Sequence, residues 1–228
     1  MAFPLTHLCV AEKLINNFDL PEQDLAQFVL GCIAPDAIHY RKDYLGANML
    51  DTKSQIGFAK KKTHLCPESE ERWGFITDNV GWEKVVKNFV KEHPNNYFLM
   101  GYATHALTDI YNNMSIWKEF TTNYPEEALK GYASDYYVEM KNIDLTIYHN
   151  YFKDSHVREL LSKSIPNEQF LLVTAEEVEA IKNNLLYIAY KDAPEPKEID
   201  YIFVSYDRTI KYIDETVSYI KNTGILNV

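Results

Sequence analysis

Residues 95–114 read NNYFLMGYATHALTDIYNNM, an apolar stretch that carries His105 and Asp109. The pattern predicts a helix over these residues, and a spacing of four places the two side chains on one helix face. An imidazole nitrogen and a carboxylate oxygen in that arrangement can bind one metal ion, and both suit zinc at about 2.0–2.2 Å. A local hydrogen bond between a core histidine and a neighbouring aspartate explains the pair as well. The pattern alone leaves both interpretations open.

Helical patterns continue on both sides of this segment and predict an all-α fold. The chain has 228 residues with only eight Gly and nine Pro, which favours long helices over a many-turned β structure. Further helices are predicted near residues 6–18 (with Thr6 as N-cap), 21–31, 67–76, 81–92, 126–152, 156–162, 175–190 and 198–222, whereas residues 41–66 suggest a long connection. No repeat or linker divides the chain, so we expect one helical domain over residues 1–228.

Charge and cysteine content exclude several classes of function. The formal net charge is −10 and the one basic run is Lys60-Lys61-Lys62, so we expect no stable nucleic-acid complex. No apolar stretch approaches the ~18 residues of a membrane span. Three dispersed cysteines and an N-terminus unlike a signal peptide fit a reducing compartment, so we expect a cytoplasmic protein. No pattern indicates the oligomeric state.

Three further residues are candidates for binding a metal ion. Asp36 follows Pro35 within apolar neighbours, where a carboxylate is costly to bury unless it meets a cation or several donors. His7 and His64 each follow a threonine, as His105 does. The simpler alternatives are a helix cap for Asp36 and half-exposed helix starts for the two histidines.

The order of these motifs resembles that of the zinc-dependent phospholipase C family, which is related to single-strand-specific zinc nucleases. The resemblance is carried by Thr6-His7-Leu8, Gly31-x-x-Ala-Pro-Asp36, Thr63-His64 and Gly101-Tyr-x-x-His105-x-x-x-Asp109, and spans roughly residues 6–144. It implies an all-helical phosphodiesterase with two or three zinc ions. It also implies a ligand set of His7, Asp36, His64, His105 and Asp109, with Asp109 bridging two ions.

Later positions depart from the family pattern and suggest substitutes. The family carries a further histidine after this motif and then a His-x-x-x-Glu pair, for which the nearest match is Asp135-x-x-x-Glu139. Both residues are therefore candidate ligands, and Glu139 is also a candidate for positioning water, although a solvated acidic face explains the pair more simply. Asp144 and His149 are weaker candidates. His39, three residues after Asp36, is a candidate general acid, ligand or supporting residue.

The sequence thus predicts a metal-dependent phosphoric ester hydrolase in which Asp109, Glu139 and His39 serve the chemistry. Zinc is the expected metal, with iron or manganese as alternatives, and the expected substrate is a small phosphoester or a phospholipid-like molecule. Helical His-Asp phosphohydrolases are disfavoured because the chain has no adjacent His-Asp pair. The competing hypothesis is a non-catalytic metal-binding or partner-binding protein with a degenerate site.

Overall fold

The computed structural model describes residues 3–42, 55–70, 74–167 and 172–226. The predicted all-α class is confirmed, and the described residues contain no strand. The α-helices are α1 (Pro4–Ile15), α2 (Glu22–Gly31), α3 (Gln55–Thr63), α4 (Asn79–Glu92), α5 (Tyr97–Met114), α6 (Ile116–Asn123), α7 (Pro125–Leu129), α8 (Asp135–Asn150), α9 (His156–Lys163), α10 (Ala175–Asn183) and α11 (Tyr206–Thr223). Short 3₁₀ helices cover Ala34–Tyr40, Gly131–Ala133 and Phe152–Asp154, and a π-helical turn covers Asn184–Ile188.

Helix α5 lies at the centre of the molecule. Every residue from Phe98 to Ile110 is buried, because α1, α2, α4 and α11 all pack around this helix. Asn96 begins it by accepting a hydrogen bond from the Leu99 amide, as an N-cap residue does. A helix with apolar residues on every side belongs inside the core. The two side chains of α5 that can bind a metal ion, His105 and Asp109, are therefore carried to the middle of the fold.

Two glycines allow α2 and α5 to approach at backbone contact. A Cβ atom added at Gly101 would lie 1.9 Å from the Phe28 carbonyl oxygen, and one added at Gly31 would lie 2.0 Å from the Phe98 carbonyl oxygen. No larger residue fits at either point without separating the helices. The close crossing brings the segment after α2 against the middle of α5.

The first part of the chain differs from the predicted boundaries in two places. Helix α1 begins at Pro4 rather than after Thr6, because proline suits the first helical turn, and Phe3 takes the N-cap position. Pro35 likewise occupies the first turn of the 3₁₀ helix Ala34–Tyr40. The predicted long connection over 41–66 lies partly outside the described residues, and its end forms α3.

Other predicted boundaries were wrong for identifiable physical reasons. The helix predicted over 67–76 does not form in the described part of that range, where Glu70 instead accepts hydrogen bonds from the amides of Thr77 and Asp78. The stretch 126–152 divides at Gly131, which has a positive φ of 57° that interrupts a helix. Helix α11 starts at Tyr206 instead of near residue 198, with Ser205 as its N-cap.

One hydrophobic core joins the helices, with α11 packed along α5 and α9 along α2. The Tyr212 hydroxyl donates a hydrogen bond to the Thr108 carbonyl oxygen at 2.8 Å, which ties α11 to α5 one residue before Asp109. Within the described part of the chain, no helix is long and apolar enough to cross a bilayer.

Candidate metal centre

His105 and Asp109 lie one turn apart on the buried face of α5. His105 Nε2 is 3.8 Å from Asp109 Oδ2, and both side chains are about 1% exposed. The predicted helix and the predicted shared face are therefore present. The distance is longer than a good hydrogen bond, so the alternative of a direct His–Asp hydrogen bond does not describe this pair.

His7 approaches the same carboxylate from α1. Its Nε2 atom is 3.6 Å from Asp109 Oδ1, and its ring stacks on that of His105 with centroids 3.7 Å apart and planes 5° from parallel. Neither ring nitrogen of His7 has a hydrogen-bond partner among the described residues. Two buried imidazole nitrogens without partners are expensive in a folded protein, and a bound cation is one way to satisfy such groups.

Asp36 and His64 complete the cluster from two further elements. Asp36 lies in the 3₁₀ helix and His64 directly follows α3. His64 Nε2 is 3.3 Å from Asp36 Oδ1 and 3.8 Å from Asp109 Oδ2. The structure thus brings together all five residues of the predicted ligand set, His7, Asp36, His64, His105 and Asp109, and all five are buried.

Backbone carbonyl groups determine which nitrogen of two rings carries the proton. His105 Nδ1 lies 2.8 Å from the Cys32 carbonyl oxygen, and His64 Nδ1 lies 2.9 Å from the Lys60 carbonyl oxygen. A carbonyl oxygen only accepts, so both Nδ1 atoms donate. The lone pair of each neutral ring is then on Nε2, which faces the carboxylates. This is the orientation that metal-binding histidines adopt when a carbonyl group holds the other nitrogen.

Burial keeps two of the rings neutral. It lowers the pKa of His7 to about 3, with the neighbouring His105 acting in the same direction. Burial likewise lowers the pKa of His64 to about 4. At neutral pH both therefore offer lone pairs rather than positive charge.

Both carboxyl groups remain ionised in spite of their burial. Burial by itself would raise the pKa of Asp36, but the Lys60 ammonium lowers it well below its usual range. Burial opposes ionisation of Asp109 also, and the electrostatic effect of the surrounding side chains lowers its pKa. The cluster therefore combines two carboxylates with imidazole nitrogens, a donor set that suits zinc, iron or manganese.

Two groups of side chains in the cluster could each hold a metal ion. Ligand atoms lie within 4.8 Å of one another in His64, His105 and Asp109, and again in His7, Asp36 and His105. A histidine whose Nδ1 donates to a carbonyl group serves one ion, so His105 belongs to one set at a time. Asp109 Oδ2 faces His64 and His105, and Oδ1 faces His7.

Comparison with protein-family models, curated proteins and solved structures finds no match to this chain. What the cluster can bind therefore follows from its own geometry.

Two aromatic side chains fix the backbone around His64. The Trp82 indole N–H donates to the His64 carbonyl oxygen at 2.9 Å, and the buried Tyr102 hydroxyl donates to the Thr63 carbonyl oxygen. Leu65, the next residue, has a positive φ of 56°, an uncommon conformation for a branched side chain. These contacts hold the end of α3 in place, so the His64 ring is positioned before any ion binds.

Lys60 is a member of the site that the sequence did not suggest. Its side chain is wholly buried, with Nζ 3.3 Å from Asp36 Oδ1 and 2.6 Å from His39 Nε2. In the sequence it is one of three consecutive lysines, and nothing in that run distinguishes it. The helical offset is the only available signal, because Lys60 precedes His64 by four residues and so shares its face of α3.

His39, predicted to take part in the chemistry, lies at the exposed edge of the cluster. Its side chain is 36% exposed, and Nε2 is 3.5 Å from Asp36 Oδ1. It contacts the carboxylate and Lys60 while remaining open to solvent. Among the described members of the cluster, this side chain is the one open to solvent.

Glu139 and Asp135 do not belong to the cluster, which corrects their prediction as ligands. The Glu139 carboxylate accepts hydrogen bonds from the backbone amides of Ile202, Phe203 and Val204, at 2.7–3.1 Å. It therefore holds the segment before α11 rather than an ion or a water. Asp135 is exposed at the first position of α8, where a carboxylate stabilises the helix N-terminus.

The weaker candidates also have other surroundings. Asp144 is buried and accepts a hydrogen bond from the Tyr190 hydroxyl, and burial raises its pKa to about 7. His149 Nε2 lies 3.1 Å from the Pro194 carbonyl oxygen. His93 is half-buried at the end of α4, and His156 is exposed at the start of α9. The three cysteines are buried and unpaired.

Proposed function

We propose that this protein is a metal-dependent phosphoric ester hydrolase in which Asp109 bridges two divalent ions, zinc being the best match to the ligands. The observation that carries the proposal is the convergence of three imidazole rings on the two oxygens of one buried carboxylate. A cation between these groups would satisfy the imidazole lone pairs and the carboxylate oxygens together. The phospholipase C-like arrangement suggested by the sequence motifs is part of this proposal.

Bound ions would supply a water whose pKa is lowered towards about 7 and would stabilise negative charge on a phosphoryl oxygen. The protein's own residues prepare the site for that chemistry. The Cys32 and Lys60 carbonyl groups keep the His105 and His64 rings in the orientation that ligation needs. Asp109 lies beside both His7 and the His64–His105 pair and would keep the ligand sets adjacent.

The edge of the centre at which His39 is exposed would receive the substrate. His39 can pass a proton between this edge and solvent, and the neighbouring Asp36 carboxylate can accept a hydrogen bond from the attacking water. The remainder of the centre excludes water, because His7, His64 and His105 are at most 1% exposed. The net charge of an acidic protein repels an anionic phosphate group, so bound ions and Lys60 would supply the positive charge at the site.

A second candidate function is a non-catalytic metal-binding protein. It is favoured by the burial of the whole ligand set, since structural metal sites are closed whereas catalytic ones keep a position open for water or substrate. The two candidates share the metal centre and differ in whether a substrate reaches it.

Hydrolysis assays separate them. The protein, reconstituted with zinc or manganese, would be tested with bis(p-nitrophenyl) phosphate and with p-nitrophenyl phosphate. Metal-dependent hydrolysis is expected, together with at least a hundredfold loss in Asp109→Asn. His156→Gln is the matched control, because this exposed histidine lies outside the cluster and its loss should leave the rate unchanged. A metal-loaded protein that hydrolyses neither substrate would support the second candidate, and full activity in Asp109→Asn would refute the assigned centre.

A further inference from the structure

Lys60 occupies the side of the cluster that carries Asp36 and His39. A fully buried lysine is rare unless it is paired, and here Nζ lies between Asp36 Oδ1 at 3.3 Å and His39 Nε2 at 2.6 Å. The same carboxylate oxygen is 3.5 Å from His39 Nε2 and 3.3 Å from His64 Nε2. The ammonium group is therefore surrounded by the kinds of atom that bind a transition metal.

We propose that the Lys60 ammonium is a built-in cation that takes the place of a metal ion at the Asp36–His39 side of the centre. It confines the exchangeable ions to the ligand set of His7, Asp36, His64, His105 and Asp109 and excludes a further ion at His39. This inference rests on the proposed function, because it concerns the same centre, and it adds the number of ions that the centre accepts.

The local structure of α3 supports this role. Lys60 and His64 are one helical turn apart, and the Lys60 carbonyl oxygen accepts the His64 Nδ1–H. The last turn of α3 thus supplies both a ligand and a fixed positive charge to the same site. The neighbouring Lys61 is directed elsewhere, since its ammonium donates to the Glu70 carbonyl oxygen. Only Lys60 of the three consecutive lysines is buried in the cluster.

The charges of the cluster explain why a lysine would stand in place of a metal ion. Asp36 and Asp109 are both buried, and a buried carboxylate needs a nearby positive charge or several donors. An ion can dissociate, whereas a lysine side chain cannot. Lys60 therefore keeps Asp36 compensated whether or not metal is bound, and the exposed edge of the site retains one positive charge for an anionic substrate.

The test measures bound zinc per chain, after dialysis against limiting free zinc, in the native protein and in Lys60→Ala. Removing the ammonium leaves a space beside Asp36 and His39, so Lys60→Ala is expected to bind one more ion than the native protein. Lys60→Arg keeps a cation and should show no gain. The double variant Lys60→Ala/His39→Ala lacks a ligand of the new site and should also show none.

The outcomes separate this inference from the proposed function. A gain of one ion in Lys60→Ala supports the inference even if the native protein binds none, a result that would refute the proposed function alone. An unchanged ion count in Lys60→Ala overturns the inference and leaves the function standing. Zinc should replace the lost charge, so a Lys60→Ala protein that stays unfolded with zinc present also overturns it. His39→Ala in the native chain should keep all its ions, and loss of one would show that an ion, not Lys60, occupies that side.

Discussion

Gly101→Ala should weaken both the fold and the metal centre. The added Cβ would lie 1.9 Å from the Phe28 carbonyl oxygen, about 1.3 Å inside a normal contact, and neither backbone can rotate away. Overpacking of this kind costs about 3 kcal/mol, against which alanine gains about 1 kcal/mol of helix propensity. The net loss is about 2 kcal/mol, or roughly 4–8 °C in melting temperature for a chain of this size.

The same shift separates α2 from α5 where the Cys32 carbonyl group meets His105 Nδ1 at 2.8 Å. Loss of such a supporting hydrogen bond lowers metal affinity about 10–100-fold. Thermal denaturation and zinc titration measure the two effects. Gly224→Ala is the control: its Cβ meets nothing within 4 Å but its φ is +61°, so it should lower stability by about 1 kcal/mol and leave zinc affinity intact. If Gly101→Ala kept the native melting temperature and the native zinc affinity, the crossing of α2 and α5 would not require a glycine here.

Three further predictions concern ionisable groups. Burial raises the pKa of Asp144 to about 7 from 3.8, so its ionised form opposes folding increasingly as pH rises. In urea titrations, Asp144→Asn should therefore stabilise the protein by about 2 kcal/mol more at pH 8 than at pH 5. An equal gain in stability at the two pH values would contradict this. In that Asn background, without metal, His7 and His64 have folded pKa values of about 3 and 4 against 6.5 unfolded, so the stability they contribute is present above pH 6.5 and lost as pH falls. About 3 kcal/mol of the free energy of unfolding should be lost between pH 7.5 and pH 5.5. A urea midpoint that does not change with pH would exclude neutral buried rings. Glu139→Gln should lower stability by about 2 kcal/mol, because one amide oxygen replaces the two carboxylate oxygens that accept hydrogen bonds from three backbone amides. The number of bound ions should stay at the native value. Loss of an ion in this variant would show that Glu139 is a ligand.

The sequence predicted the all-α class and the central helix well because both depend on local pattern. The apolar run around His105 and the spacing to Asp109 determine a helix and its buried face without reference to the rest of the chain. The position of His7 could not be obtained in this way. It came from the order of motifs, and the packing of α1 against α5 is what places its ring on that of His105.

The errors fall where distant parts of the chain decide the structure. Glu139 looked like a ligand at helical spacing from Asp135. The segment 198–205, expected to be helical, is instead irregular, and three of its backbone amides donate hydrogen bonds to that carboxylate. Lys60 is one of three consecutive lysines in the sequence. Its burial depends on the 3₁₀ helix that carries Asp36, and the run itself shows nothing of that contact beyond the offset of four residues between Lys60 and His64.

In the proposed centre, Asp109 bridges divalent ions held by His7, Asp36, His64 and His105. Elemental mass spectrometry of protein purified without chelators or a histidine tag measures these ions directly. We expect two ions per chain of the native protein and fewer than one in Asp109→Asn, with helicity unchanged by circular dichroism. Native protein that holds no zinc, iron or manganese, even after reconstitution, would contradict it.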